Sequence, residues 1–460
     1  MPLIDEPLSP LDGRYRAAAA PLAEHLSEAG LNRARIRVEV EWLIALTDAG
    51  VAGTAPLAEH ERASLRELVD RFGADEVAEL GRLEATTRHD VKAVEYLVRA
   101  HLAAVGLERL AELTHFAFTS EDVNNLAVAL TVRDAVHDVW LPAVDRVLER
   151  LTALARDWAG VPMLARTHGQ PATPTTTGKE LAVFAARLRR LRDKVAAVEV
   201  LGKSNGASGD YAAHVVAAPD VDWQALSQRF VEGLGLTWNP LTTQIESHDW
   251  QVELYGRIVH LNGVLHNLCT DVWLYIAFGY LKQVPVAGAT GSSTMPHKVN
   301  PIRFENAEAN LELSNGVLGT LSATLVTSRL QRDLTDSTTQ RNIGVGLGHS
   351  LVALDNVARG LTEIDVDAAR MREDLESNQE VLGEAVQTVV RAEIAAGRSA
   401  LSNPYELLKD LTRGRRITAE DLRTFVAGLG LEPAATERLT ALTPATYTGL
   451  AARLVEHLGD

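Results

Sequence analysis

Two adjacent serines and a cationic patch share one stretch of the chain, residues 288–301, which reads GATGSSTMPHKVNP. Its glycines lower the cost of unusual backbone angles, and its prolines disfavour helical angles in the residues before them. We therefore predict a mobile loop in which a helix begins only after about Pro301. Such a loop can close over a negatively charged substrate, exclude water and carry a serine to the reacting carbon.

The polar groups of this stretch suit removal of a proton beside a carboxylate, followed by loss of a leaving group. Lys298 and Asn300 could stabilise the carboxylate while it becomes doubly negative. Ser292 or Ser293 could act as the base where a positive, water-poor setting stabilises its alkoxide, and spacing does not choose between the two. A histidine can protonate a leaving nitrogen near neutral pH. The alternative is a solvated surface loop with an incidental lysine.

Two histidines lie in positions that suit a functional site. His168 lies among three prolines and a glycine in residues 162–174, where an irregular connection would project it into a cleft. His89 precedes Asp90 at the predicted start of a helix, a position that favours anions. A lone histidine at such a position is more often structural.

Other polar clusters lie near predicted helix ends or in loops. Thr119 and Asp122 match a capping box, which leaves the neighbouring Ser120 unexplained. Residues 202–209 are glycine-rich but lack the ending of a phosphate loop, so we expect a close-packed turn, followed by the polar candidate Gln244. Residues 328–341 hold three arginines with interleaved hydroxyls, which could clamp a phosphate or a carboxylate; the alternative is a charged helix end.

These groups must be positioned by long helices. Five segments carry apolar residues that alternate every three and four positions, which predicts helices of a bundle. They are residues 136–154, 181–198, 254–275, 304–325 and 343–361. We expect Pro142 to bend the first of them. Several segments also carry apolar residues outside this repeat, and a single bundle cannot bury every face of its helices. We therefore predict bundles packed on bundles in an oligomer; the alternative is a large monomeric bundle.

Length and composition narrow the function classes. A chain of 460 residues suggests about three domains, and we predict 1–109 as an N-terminal helical domain, 110–363 as the central long-helix bundle and 364–460 as a C-terminal helical domain. The net charge of −16 argues against nucleic acid or an acidic membrane surface as a partner. Cys269 is the single cysteine, so an intrachain disulfide is excluded and a reducing compartment fits. We expect neither a signal peptide nor a membrane span.

The motifs resemble those of a known family. The Gly-Ser-Ser loop alone resembles the signature loop of the fumarase/aspartase superfamily. The fuller set resembles the bacterial branch of the adenylosuccinate lyases, from about residue 10 to the C-terminus. That set comprises Arg14-Tyr15, His89-Asp90, residues 119–122, residues 166–171, Thr243-Gln244 and residues 331–337. The chain departs from this branch at Arg88, where the branch has asparagine.

The resemblance implies an all-α, three-domain subunit, a homotetramer whose active sites are each built from three chains, and no cofactor or metal. It implies a C–N lyase of purine biosynthesis that releases fumarate from its substrates. Ser292 would be the base and His168 the acid. Substrate would be held by Arg14, Tyr15, Arg88, His89, Asp90, Thr119, Ser120, Gln244, Ser293, Lys298, Asn300, Asn306, Arg332, Ser337, Thr338 and Arg341. A cytoplasmic location fits this reading. Alternatives are another lyase of the superfamily, such as argininosuccinate lyase, and a non-catalytic helical bundle protein.

Overall fold

Helices account for most of the chain in the computed structural model, which describes residues 6–284, 299–403, 405–406, 409 and 417–459. Within these ranges the α-helices are α1 Arg16–Leu26, α2 Glu28–Asp48, α3 Glu59–Asp70, α4 Ala74–Thr87, α5 Asp90–Ala104, α6 Ser120–Asp134, α7 Leu141–Asp157, α8 Thr177–Ala196, α9 Ala212–Ala217, α10 Trp223–Gly233, α11 Asp249–Ala277, α12 Ile302–Leu325, α13 Thr335–Gln340, α14 Ile343–Gly360, α15 Ala368–Glu376, α16 Gly383–Ala395, α17 Ala419–Gly428, α18 Pro433–Thr440 and α19 Ala451–Leu454. The all-α fold class predicted from the sequence is confirmed.

Six short strands form three two-stranded pairs within these ranges. They are β1 Pro162–Thr167, β2 Gln170–Thr176, β3 Leu201–Gly202, β4 Thr237–Trp238, β5 Leu281–Gln283 and β6 Ile364–Val366. The pairs β1–β2 and β5–β6 are antiparallel, and β3–β4 is parallel. The irregular connection predicted for residues 162–174 is therefore wrong, because this segment is a β-hairpin with prolines in its strands. Its three prolines, which suggested irregularity, are tolerated in a hairpin that has no further strands beside it.

The chain divides into two compact units. Unit 1 comprises residues 1–144, 191–263 and 309–355, and unit 2 comprises 145–190, 264–308 and 356–460. The five predicted bundle segments are helical, as α7, α8, α11, α12 and α14, and a helix begins directly after Pro301, as expected. The division into domains 1–109, 110–363 and 364–460 stays a prediction.

The core of unit 1 surrounds α2 and α6. In α2, Ile36, Val38, Val40 and Trp42 are completely buried, so the helix is covered on all sides. A chain of hydrogen bonds crosses this unit: Trp140 Nε1 donates to Ser350 Oγ at 2.9 Å, and Ser350 Oγ donates to Asn262 Oδ1 at 2.9 Å. Polar groups buried at helix contacts are thereby satisfied.

A widened helical turn separates α6 from α7. Residues Ala135–Trp140 form a π-helix, and the Leu141 N–H donates to the Val136 carbonyl, five residues back. Pro142 follows directly and lacks an N–H, so a regular α-helical ladder could not continue through it. The bend expected at Pro142 stays a prediction; what the structure shows before this proline is the π-helical turn.

Unit 2 packs the β1–β2 hairpin against α15. Met163, Tyr280 and Met371 form a buried cluster there, and the Thr177 hydroxyl lies 3.5 Å from the Met371 sulfur. A separate apolar cluster joins α16, α17 and α18 around Val386, Val390 and Val426. Among the described residues, no helix is long and apolar enough to cross a membrane.

Candidate active site

A cavity of about 390 Å³ in unit 1 collects many of the predicted substrate-binding residues. This volume is within the usual range for small-molecule sites. The start of α2, the starts of α5 and α6, and α13 with the turn before it line the cavity. Its lining includes Arg88, His89, Asp90, Ser120, Arg332, Ser337 and Arg341. Seven residues chosen from the sequence are thus brought together here.

The start of α5 is capped by one of the predicted histidines. His89 is the N-cap, and its Nδ1 accepts a hydrogen bond from the Lys92 N–H at 3.2 Å. The ring is therefore held by a local bond that also satisfies one free donor of the helix end. Thr87, a residue suited to capping, instead donates its hydroxyl to the His89 carbonyl at 3.1 Å.

Asp90 binds a buried arginine that the sequence analysis did not select. Arg35 is 4% exposed and donates to Asp90 Oδ2 at 2.9 Å, to Asn124 Oδ1 at 3.0 Å and to Asn32 Oδ1 at 2.9 Å. Burial alone would raise the pKa of Asp90, but the charge of Arg35, together with hydrogen bonds from the Val91 N–H and from Arg35, outweighs it and lowers this pKa. Asp90 therefore stays ionised and keeps Arg35 in place.

The start of α6 is fixed by the predicted capping box. Thr119 is the N-cap, and its N–H donates to Asp122 Oδ2 at 2.9 Å. The same carboxylate accepts the Asn205 N–H at 2.9 Å and the Gly206 N–H at 3.1 Å, and it pairs with Lys203. The glycine-rich turn at 202–209 therefore binds a carboxylate of the protein itself.

The segment that leads into α6 is also anchored. Glu39, which is 1% exposed, accepts both the His115 N–H at 3.0 Å and the His115 Nδ1–H, and the Trp42 Nε1–H donates to the Phe116 carbonyl at 3.0 Å. Burial disfavours the charged His115, but Glu39 outweighs this effect and raises its pKa. His115 and Ala117 both have left-handed φ values, near 59°, a costly conformation that these anchors maintain.

Arg332 lies between two carboxylates at one wall of the cavity. Its Nη1 is 2.5 Å from Glu121 Oε2 and 3.5 Å from Asp336 Oδ2. His248 Nε2 is 3.3 Å from the same Asp336 oxygen. Ligand atoms of Glu121, His248 and Asp336 come within 4.8 Å of one another, a spacing that would admit a metal ion. The Arg332 guanidinium already forms ion pairs with both carboxylates, so the trio fits an ion-pair network better than a metal site.

Two further arginines lie at the cavity. Arg341 pairs with Glu28 and lies 3.7 Å from Asp90 Oδ2. Arg88 ends α4 with a left-handed φ of 53°. Its exposed side chain makes neither a hydrogen bond nor an ion pair with the part of the chain that the structure describes. This guanidinium is therefore available to an anion that enters the cavity.

His168 lies at the tip of the β1–β2 hairpin in unit 2. Thr167 pairs with Gln170, so His168 and Gly169 form a two-residue loop, and their φ values are 53° and 73°. Two successive positive φ values define a type I′ turn, the loop whose twist suits a tight hairpin. The side chain of His168 is exposed, and its projection into a cleft stays a prediction.

An ion pair anchors this hairpin two residues before His168. Arg166 Nη2 donates to Asp374 Oδ2 of α15 at 2.6 Å, and the Tyr280 hydroxyl donates to the same oxygen. The Arg166 guanidinium also lies 5.0 Å from the centre of the Phe278 ring. Burial raises the pKa of Tyr280 to about 12, and Asp374 adds to this shift, so the phenol stays protonated and able to donate.

The remaining predicted residues lie elsewhere in the described chain or outside it. Arg14 is exposed beside Tyr15, the N-cap of α1, and Thr338 is exposed on α13. Gln244 donates to the Ala207 carbonyl at 2.8 Å, and Asn306 accepts from Asn356 Nδ2 at 3.0 Å. Asn300 precedes α12. Ser292, Ser293 and Lys298 are outside the described residues.

Sequence reasoning missed several residues that hold the candidate site together. Arg35, Glu39, Glu121 and Asp374 carry these contacts. One signal was available for the first two: both are charged residues of α2 set directly between apolar ones, Arg35 between Ala34 and Ile36 and Glu39 between Val38 and Val40. A charge buried in such a helix requires a partner.

Comparisons with known proteins agree with this architecture. A family model described as "Lyase" matches residues 13–314, and one described as "Adenylosuccinate lyase C-terminal" matches residues 328–448. The chain is 45% identical over 453 residues to adenylosuccinate lyases of Haemophilus influenzae and Escherichia coli K12, with 98% of each chain covered.

Solved structures show the same fold. The 3-carboxy-cis,cis-muconate lactonizing enzyme of Pseudomonas putida matches with a TM-score of 0.72 and 23% identity, covering 95% of this chain and 96% of that one. A fumarate lyase of Mesorhizobium sp. BNC1 matches with a TM-score of 0.73 and 20% identity, covering 95% and 97%. By its family-model matches and its full-length identity to curated relatives, the chain belongs to the adenylosuccinate lyase family of the fumarase/aspartase superfamily.

Proposed function

We propose that this protein releases fumarate from adenylosuccinate, giving AMP, and from the succinylcarboxamide imidazole ribonucleotide, giving the carboxamide, in purine biosynthesis. The observation that carries this proposal is the cavity of unit 1, in which Arg88, Arg332 and Arg341 lie beside the N-termini of α5 and α6. Arginines and helix N-termini bind phosphate, and both substrates carry one. Each substrate also joins a succinyl group to nitrogen, so one site can serve both.

The reaction is a β-elimination. Ser292 removes the proton from the succinyl carbon next to a carboxylate, the C–N bond breaks, and His168 gives a proton to the departing nitrogen. The exposed position of His168 at the hairpin tip supports its assignment as the acid. Lys298 and Asn300 stabilise the negative charge that builds up on the succinyl group.

We assign the remaining substrate contacts from the resemblance of the chain's motifs to those of the adenylosuccinate lyases. Thr119, Ser120 and Ser293 hold the succinyl carboxylates with Lys298 and Asn300. The ribose phosphate end is held by Arg14, Tyr15, Arg332, Ser337, Thr338 and Arg341, and the site is lined by Arg88, His89, Asp90, Gln244 and Asn306. The cavity supports the assignments of Ser120, Arg332 and Arg341, which it brings together. No cofactor takes part in this scheme.

We further propose that the protein is a cytoplasmic homotetramer of three-domain subunits, with active sites each built from three chains. Large apolar side chains exposed on the long helices of unit 2 support self-association. Val183 of α8 and Trp273 and Leu274 of α11 are each about 40% exposed. A second copy of the chain would cover them, as interfaces between bundles do.

Fumarate release from three substrates tests the proposed function. Purified protein is given adenylosuccinate, its dephosphorylated nucleoside and argininosuccinate, and fumarate is measured directly. We expect fumarate release from adenylosuccinate. We expect the nucleoside to bind much more weakly, because it lacks the phosphate that the arginines of the cavity would contact. Release from argininosuccinate instead would identify the rival lyase, and release from none of them would favour a structural bundle protein.

A further inference from the structure

Arg332 is a cation of the cavity that already lies between two carboxylates. Two carboxylates, Glu121 and Asp336, lie within 3.5 Å of its Nη1, and both side chains are nearly buried. Arg332 therefore supplies one positive charge against the two negative charges of these carboxylates. An incoming dianion therefore meets an arginine that is already paired and two carboxylates that repel it.

His248 lies beside this network and is held by hydrogen bonds on both sides of its ring. The Tyr255 hydroxyl donates to Gln251 Oε1 at 3.0 Å, which turns the amide nitrogen of Gln251 towards His248 Nδ1 at 3.3 Å. The other ring nitrogen, Nε2, lies 3.3 Å from Asp336 Oδ2. His248 is also 1% exposed and has a left-handed φ of 63°, so the surrounding structure holds it in a strained position.

Within the described residues, fewer groups that stabilise a negative charge contact the Glu121 carboxylate than the Asp336 carboxylate. The Asp336 carboxylate faces His248 and accepts the Ser337 N–H at 2.6 Å. Among the residues that the structure describes, Arg332 is the cation that forms an ion pair with the Glu121 carboxylate. Burial raises the pKa of Glu121, and Asp336 adds to the shift, while Arg332 and His248 oppose it. Glu121 is therefore the carboxylate for which protonation costs least.

We propose that Glu121 takes up a proton when an anion binds at Arg332. The proton removes one of the two charges that compete with the anion for the guanidinium, and the buried Glu121 loses its own unfavourable charge. The inference deepens the proposed function, because it rests on Arg332 as the contact for the substrate phosphate. Anion affinity then increases as the pH falls, since the bound state holds one proton more than the free state.

Sulfate is the probe for this proposal, because it stays a dianion over the pH range of interest. Its binding to the full-length protein is measured by calorimetry in buffers of different ionisation enthalpy, from about pH 6 to about pH 9, which gives the protons taken up. Arg332→Ala removes the proposed sulfate contact, so the heat of binding that this variant loses is the heat that comes from this site. Glu121→Gln removes the proton acceptor, and Glu112→Gln, on a side chain that is 88% exposed, is the matched control.

The expected result is an uptake approaching about one proton per bound sulfate at its maximum, present in the control and lost in Glu121→Gln. An infrared difference spectrum of the unaltered protein should also show a protonated carboxyl band when sulfate binds, which covers the case in which Glu121→Gln fails to fold. The proposal is overturned if sulfate binding is insensitive to Arg332→Ala, if no proton is taken up, if uptake persists in Glu121→Gln, or if the band is absent.

Failure of this proposal is distinguishable from failure of the proposed function. Fumarate release without proton uptake would contradict the proposed role of Glu121 but not the proposed lyase function. Proton uptake without fumarate release from any succinyl adduct would contradict the proposed lyase function but not the proposed anion site.

Discussion

Lys203 Nζ lies 2.9 Å from Asp122 Oδ1, and both side chains are fully buried. Because Asp122 also caps α6, this pair ties the helix start that carries Thr119 and Ser120 to the turn at 202–209. A charge buried in this way is costly when its partner is removed.

Lys203→Met should therefore lower the free energy of unfolding by about 3–5 kcal/mol, because it leaves Asp122 buried without a cation. Urea denaturation measures the change. Lys194→Met is the control, since Lys194 is exposed at the end of α8, and it should change the stability by less than about 0.5 kcal/mol. Equal stability of the two variants would show that the buried pair does not hold this region.

Asp374→Asn should lower kcat by up to about a hundredfold and change KM little, because the β1–β2 hairpin loses the ion pair that positions His168. Steady-state kinetics of fumarate release measures both constants. Glu373→Gln on the same helix is the control, since Glu373 is 69% exposed and pairs with Arg370 at the surface. A large increase in KM with unchanged kcat would assign Asp374 to binding instead.

Arg88→Asn should stabilise the protein and weaken substrate binding. Arg88 has a φ of 53°, a left-handed conformation that asparagine tolerates better, so a gain of up to about 1 kcal/mol is expected. The substitution also removes a cation from the cavity, so KM for adenylosuccinate should increase. Arg82→Asn, on the same helix but paired with Glu79, should leave KM unchanged. If Arg88→Asn leaves KM unchanged too, Arg88 does not contact the substrate.

The buried His214 predicts a loss of stability in acid. Its ring is completely buried against Tyr211 and Trp223, and burial lowers its pKa. A histidine whose folded pKa is lowered contributes stability above its unfolded pKa of about 6.5, and this contribution is lost as the pH falls below that value. His214→Phe should flatten the dependence of the unfolding free energy on pH in this window. His60→Phe, at an exposed position, should not.

The helical framework was accessible from sequence because its signals are local. Apolar residues repeating every three and four positions predicted the five long helices, and Thr119 with Asp122 predicted the start of α6. The hairpin at 162–176 was missed for a related reason: prolines dominate its local pattern, whereas its strand pairing depends on residues that meet only after the chain turns back at His168 and Gly169.

The candidate site was only partly accessible, because its supporting contacts join distant residues. Arg35 and Asp90 are 55 positions apart, and Arg166 and Asp374 are 208 apart, so spacing along the chain could not pair them. Resemblance to the family selected Arg332, Ser337 and Arg341 for the phosphate end. It did not indicate that Glu121 and Asp336 already form ion pairs with the Arg332 guanidinium. These ion pairs exist only in the folded chain.

Mixing two inactive variants tests the central claim, that His168 and Ser292 act as acid and base in sites shared between subunits. His168→Ala and Ser292→Ala should each abolish fumarate release while leaving the assembly intact. After subunits of the two variants exchange, the account predicts that fumarate release from adenylosuccinate partly recovers, because hybrid assemblies contain some sites with both residues. Near-normal rates in both single variants, or no recovery after demonstrated subunit exchange, would contradict it.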